Sequence, residues 1–204
     1  MIELHNLKIA YKDKTVIENF NLNVSSGEKV IIKGVSGSGK SSILKAILGF
    51  VIPASGDIFF NNERITGKNI SYFRTIFSYV SQGIELRNEK VIVLIEEIFN
   101  FKQNKKFKNN LEKMEELLDF FNLKKEILEK NLDELSGGEK QRIGIITSIL
   151  LDRDIFLLDE ITSALDSEMK KKTVNYFLKS SKTVIIVSHD NEWSESGIAR
   201  EVKI

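Results

Sequence analysis

Apolar and polar residues alternate from Ile2 to Tyr11 and again from Thr15 to Val24. That period of two predicts strands with one buried face. A turn at Ser25-Ser26-Gly27 ends the pair, and Lys29 to Lys33 reads as a short apolar strand. A Gly/Ser-rich loop follows, then a helical pattern from about Lys40 to Gly49. Pro53, the single proline, and Gly56 mark a turn into a strand over Asp57 to Asn61. From Val91 to Leu132 the pattern is helical, with Leu117, Leu118, Phe120, Phe121 and Leu123 set among Lys and Glu. Within it, Lys102 to Asn110 reads as a solvated connection. Ile155 to Leu158 and Val184 to Val187 are continuous apolar runs, as in strands covered on both faces of a parallel sheet. The expected organisation is one α/β domain over 1–204, with 1–82 and 135–204 forming the core and 83–134 a helical insertion.

Polar residues follow each apolar run at once: Gly34 after the first, Asp159-Glu160 after the second, Ser188-His189 after the third. In open α/β sheets ligands bind beyond the carboxyl ends of the strands, so these three ends are where chemistry is expected.

Composition narrows the class. Thirty Lys and Arg against 29 Asp and Glu leave a net charge of +1, which gives no electrostatic footprint for nucleic acid. The chain has no cysteine, so disulfide frameworks and thiolate metal sites are excluded. No apolar run reaches the roughly 18 residues of a membrane helix. The start, Met1 to His5, lacks the basic-then-apolar order of a signal peptide. The expectation is a cytoplasmic chain; any membrane role needs spans from other chains.

Gly34-Val35-Ser36-Gly37-Ser38-Gly39-Lys40-Ser41 fits G-x-x-x-x-G-K-[ST] at every fixed position. Glycines let successive backbone N–H groups turn inward on a phosphate, and the helix starting near Lys40 adds its positive end. The Lys40 ammonium can neutralise β- and γ-phosphates, and the Ser41 hydroxyl can hold Mg²⁺. A flexible Gly/Ser turn is the plainer alternative, but the loop follows an apolar strand and opens a helix, as the motif demands. Asp159 suits the Mg²⁺ shell as the second half of such a site. Glu160, one residue on, can orient or deprotonate an attacking water. Two carboxylates also permit a kinase-like site, so this pair alone does not choose the reaction.

Leu135-Ser136-Gly137-Gly138-Glu139 discriminates further. Ser136 and Glu139 form a capping box that starts a helix through Ile143, Ile146 and Ile149. A cap alone does not need Gly137 and Gly138, which weaken the first turn. Two glycines bare the N-terminal amides to an anion, a second phosphate-binding surface in a chain that already has one.

These residues resemble the ABC ATPase family, whose signature reads LSGGQ. The resemblance covers nearly the whole chain and implies a P-loop fold with a mainly parallel core sheet, an N-terminal antiparallel β subdomain and a helical subdomain. It implies that Tyr11 stacks on adenine and that Ser36, Gly37, Ser38, Gly39, Lys40, Ser41 and Ser42, with Gly34 and Val35, hold ATP. It implies that Gln82, in Tyr79-Val80-Ser81-Gln82, contacts Mg²⁺ and takes part in catalysis. Ser163-Ala164-Leu165-Asp166 resembles the D-loop, and His189 the switch histidine near the γ-phosphate. The family pattern implies a head-to-tail pair of copies, each ATP lying between the phosphate loop of one and Ser136, Gly137, Gly138 and Glu139 of the other. It further implies an integral membrane permease as partner, on the cytoplasmic face of the cell membrane.

Ile161 and Ser81 stand where the family often has proline, and neither change removes a functional side chain. The run Leu158 to Asp166 resembles a small subgroup of iron- or metal-export ATPases. The expected function is the ATP-hydrolysing subunit of a transporter. The alternative is a soluble family member, for example in cofactor assembly. A small-molecule kinase gives no reason for Gly137-Gly138, and the long coiled coil of DNA-repair members is absent.

Overall fold

The computed structural model describes residues 1–12, 14–84 and 87–204. Residues 85 and 86 of the expected helical insertion lie outside the described residues. In chain order the elements are β1 (Ile2–Tyr11), β2 (Lys14–Val24), β3 (Lys29–Lys33), α1 (Lys40–Ile47), β4 (Ser55–Phe60), β5 (Glu63–Arg64), α2 (Ile70–Phe73) and β6 (Phe77–Val80). There follow α3 (Val91–Asn100), α4 (Met114–Phe120), α5 (Gly137–Leu150), β7 (Ile155–Asp159), α6 (Ser167–Lys179), β8 (Thr183–Val187), α7 (Glu192–Glu195) and β9 (Arg200–Lys203).

The alternating N-terminal strands form an antiparallel sheet in the order β2-β1-β4-β5. The continuous apolar runs form a parallel sheet in the order β6-β7-β8-β3-β9. Its faces explain why those runs are apolar throughout. Ile31, Phe156, Leu158, Val184 and Ile186 pack on the side of α3 to α6, while Val30, Ile32, Ile155, Leu157, Ile185 and Val187 pack towards α1 and the antiparallel sheet. Both faces are covered, so neither set of side chains meets water. No helix among the described residues is long and apolar enough to cross a membrane.

The middle of the chain is helical but broken. Beyond α3 it forms 3₁₀ turns at Lys105–Lys113, Lys125–Glu129 and Leu132–Glu134 around the short α4. The segment expected to be a solvated connection also holds a buried polar tie. Asn104 is 3% exposed; its Nδ2 donates to Ile98 O (2.8 Å) and its Oδ1 accepts from Arg153 Nη2 (2.7 Å). Asn104 thus satisfies one of the last carbonyls of α3, which helix geometry leaves without an intrahelical donor. The same Arg153 guanidinium donates to Phe77 O (2.8 Å) and to Arg74 O, fastening this tie to the edge of the parallel sheet.

Candidate nucleotide site

Beyond the carboxyl ends of β3, β7 and β8 lies a cleft of about 630 Å³. It is lined by Tyr11, Val16, Ser36, Gly37, Gly39 to Ser42, Gln82, Glu160, Ser163, Lys170, Val187, His189 and Asp190. One cleft therefore joins candidates separated by almost the whole chain.

The loop after β3 shows why its glycines stand where they do. Gly39 has φ +95° immediately before α1, and a Cβ there would meet Ile17 at 3.0 Å. Ser42 N already donates to Gly39 O (2.9 Å) at the start of α1, and the amides of the turn before it, at Lys40 and Ser41, stand where a helix N-terminus offers N–H groups to an anion. Lys40 is 6% exposed, its ammonium donating to Gly34 O (2.9 Å) and Val35 O (3.0 Å). The Ser38 hydroxyl is buried without a hydrogen-bond partner among the described residues, a polar atom left for a ligand to satisfy. Tyr11, half exposed, bonds through its hydroxyl to Ser42 Oγ at 2.9 Å, which steadies an aromatic face at the cleft edge.

Asp159, at the end of β7, is 3% exposed. Ser41 Oγ donates to its Oδ1 (2.7 Å), and Tyr79 OH donates to its Oδ2 (3.1 Å). Burial and the Asp159 charge push the Tyr79 phenol well above its usual range, so it remains a donor. Among the described residues no group of three or more His, Cys, Asp or Glu side chains converges here, so a metal ion at this buried carboxylate would rely on it, on neighbouring neutral oxygens and on the phosphates. A hydroxyl, a carboxylate and the amide of Gln82 are hard oxygen donors of the type magnesium takes, with phosphate supplying the rest.

Glu160 adopts φ +50°, in the left-handed region. For a residue that is not glycine this costs of order 1–3 kcal/mol and marks a position over-determined by its surroundings. Its N–H donates to Val187 O (2.8 Å), and its carboxylate lies 3.3 Å from His189 Nε2. Burial raises the Glu160 carboxyl above the usual range, an effect that His189 and Lys40 only partly oppose.

The signature turn behaves as its sequence predicts. Ser136 caps α5, accepting from Glu139 N (3.3 Å), while the Glu139 carboxylate accepts from Ser136 N (2.8 Å). These bonds from Ser136 hold the Glu139 carboxyl below its usual range. Gly137 faces open space, whereas a Cβ on Gly138 would meet Ala164 O at 2.8 Å. None of Ser136, Gly137, Gly138 or Glu139 lines the cleft of its own chain. Sequence reasoning missed Tyr79 and Lys170 as members of this site. A tyrosine on a strand and a lysine on a helix carry no motif, and only the register of β6 beside β7 brings Tyr79 to Asp159.

The sequence profile of the ABC transporter family matches residues 17–163, well over half of the chain. The chain belongs to the ABC transporter family. It binds and hydrolyses ATP as an ATP-binding subunit, one that pairs with another such subunit and serves a membrane partner. It is similar to the "Probable iron export ATP-binding protein FetA" of Escherichia coli K12, with 34% identity over 94% of this chain and 86% of that one. It is also similar to the ergothioneine transport ATP-binding protein EgtV of Helicobacter pylori G27, with 31% identity over all of this chain and 97% of that one. Among solved structures, a dimeric ATP-binding cassette bound to ADP and Pi in a post-hydrolysis state superposes with a TM-score of 0.82. That match has 26% identity and covers all of this chain and 94% of the other. The expected α/β fold, with its parallel core, antiparallel subdomain and helices, is borne out.

Proposed function

We propose that two copies of this chain pair head to tail and hydrolyse ATP to drive a membrane permease from the cytoplasmic face of the membrane. The observation that carries this reading is the division of the phosphate-binding groups. Ser36, Gly37, Gly39 to Ser42, Glu160 and His189 line one cleft, Asp159 lies behind it bonded to Ser41, and the bare amide turn at Gly137-Gly138 lies outside it. A second copy brings that turn to the open side of the cleft. Ser163 Oγ donates to Glu160 O (2.8 Å), and the next residue, Ala164, abuts Gly138. The D-loop thus joins the hydrolytic end of one site to the signature that serves the other.

In this reading Lys40 and the loop amides hold the β- and γ-phosphates, and Tyr11 faces the base. Ser41, Asp159 and Gln82 hold Mg²⁺, which neutralises phosphate charge. Glu160 takes a proton from the attacking water, and His189 fixes the Glu160 carboxylate and faces the γ-phosphate. We read 1–82 with 135–204 as the catalytic core and 83–134 as the helical subdomain.

A second feature supports a membrane partner. An apolar groove of about 480 Å³ runs between Phe50 and Arg74 on the core side and Ile84, Ile95 and Phe101 on the helical side. Phe50 and Phe101 are 60% and 57% exposed, large apolar surfaces that a docked chain would cover. The cargo reading is iron or another metal, outward, following the Escherichia coli relative. The ergothioneine subunit stands almost as near in identity, so cargo choice belongs to the permease. Purification of the tagged chain from membranes tests the assignment. A multi-span membrane protein in stoichiometric amount supports it, and a soluble iron–sulfur assembly complex in its place overturns it.

A further inference from the structure

Lys170 lines the nucleotide cleft from the second turn of α6, and nothing in the motif pattern gives it a role. Its ammonium lies 2.8 Å from Asp190 Oδ1, and each side chain of this pair is only 21% exposed. Asp190 follows His189 directly, in the short segment between β8 and the fully buried Trp193. His189 itself is more than half exposed, and its ties to Glu160 are long, 3.3 Å from the ring and 3.4 Å from its N–H. Such a residue needs its backbone fixed by something else. The other Asp190 oxygen, Oδ2, is buried; Lys170 and Thr162 are the side chains that bond this carboxylate, and Lys170 carries the positive charge paired with it. Burial alone would raise the Asp190 carboxyl; the Lys170 hydrogen bond and charge, with smaller help from Thr162 and His189, outweigh this and hold it below its usual range. The groups facing Lys170 are Asp190, Glu192 and Glu160. At the other end, Asp166 of the D-loop caps α6 by accepting from Met169 N (2.9 Å), and Lys170 N donates to Asp166 O (2.8 Å).

We propose that Lys170 is a positioning residue for hydrolysis: its bridge to Asp190 ties the His189 loop to α6, and so to the D-loop that caps that helix. The inference rests on the roles proposed above for Glu160 and His189. A loop held at one rigid helix keeps His189 and Glu160 in register with each other. Released, the loop shifts, and a misplacement of about 1 Å at a reacting centre costs on the order of 10²-fold in rate.

The experiment measures ATP turnover for Lys170→Met, Lys170→Arg, Asp190→Asn and the double variant Lys170→Met/Asp190→Asn, with His189→Ala as reference. We expect Lys170→Met to lower kcat by roughly 10- to 100-fold while KM for ATP changes less than about twofold. Arginine, which also reaches a carboxylate, restores most of kcat. The double variant is no slower than either single, because both remove one tie. It also folds well, since no buried charge is left alone. A raised KM at constant kcat means that Lys170 grips phosphate directly and overturns the proposal. So does unchanged kcat, a failure of arginine to rescue, or additive losses in the double variant. Loss in His189→Ala with none in Lys170→Met sinks this inference alone; full activity in His189→Ala sinks the site reading and this inference together.

Discussion

Gly137→Ala separates folding from function at the signature turn. The added Cβ meets no atom within 4 Å, and Gly137 does not have a left-handed φ. At such a site alanine restricts the unfolded chain and stabilises by about 0.4–1 kcal/mol. For a chain of this length that raises Tm by about 1–4 °C. The same methyl stands beside the amides at the start of α5. A phosphate oxygen must come to about 2.7–3.2 Å from such an amide nitrogen to accept its hydrogen bond. If the terminal phosphate held by one copy is gripped by this turn of the other, the methyl displaces it, and kcat falls on the order of 10²-fold. ATP binding to the loop at 34–42 is untouched, because that loop lies in another cleft. Gly138→Ala is the contrast. Its Cβ would sit 2.8 Å from Ala164 O, so the D-loop backbone must move, and stability falls along with turnover. Melting followed by circular dichroism, binding of a fluorescent ATP analogue and phosphate release measure the three quantities. Wild-type turnover in a well-folded Gly137→Ala chain would refute the trans role of the signature.

Three further outcomes are expected. Glu160→Gln keeps ATP affinity and slows hydrolysis by ~10²–10⁴-fold, the usual contribution of a general base, which single-turnover phosphate release measures; near-normal turnover removes Glu160 from the chemistry. The same substitution does not lower Tm at neutral pH: the folded-state pKa of Glu160 is raised, so its ionised form opposes folding above that pKa, and the neutral amide lifts the penalty. The base works only when deprotonated, so the acid limb of the kcat/KM profile, which reports the free enzyme, lies above the roughly 4.3 of an ordinary glutamate; a limb at or below that value contradicts the buried environment assigned to it.

Much of the site was legible because phosphate chemistry restricts the backbone. The loop at 34–41 and the cap at Ser136-Gly137-Gly138-Glu139 need particular residues at fixed spacing, and the structure shows both as helix starts. The apolar runs at 155–158 and 184–187 were readable for a similar reason, since two covered faces exclude polar residues. The middle of the chain was less legible. Its apolar clusters predict helix, but Asn104 and Arg153 meet across the fold to end α3, a contact with no local signal. The partnerships Tyr79–Asp159 and Lys170–Asp190 are of the same kind. They depend on which strand lies beside which, and a polar residue on a strand or helix reads first as a solvated one. Arg142 shows the point again: it is one residue in a charged run, yet its guanidinium holds Gly138 O (3.2 Å) and Phe121 O (3.1 Å), docking α4 on the signature turn.

The absence of native cysteine makes a direct test of the shared phosphate grip clean. Val35, 77% exposed in the phosphate loop, is changed to cysteine in one tagged copy, and the exposed Ser136 in a differently tagged copy, both carrying Glu160→Gln. With a short thiol-specific crosslinker, a product joining the two tags is expected when ATP is present and not when it is withheld. An ATP-independent product, or no product between copies when ATP is present, would contradict the head-to-tail site.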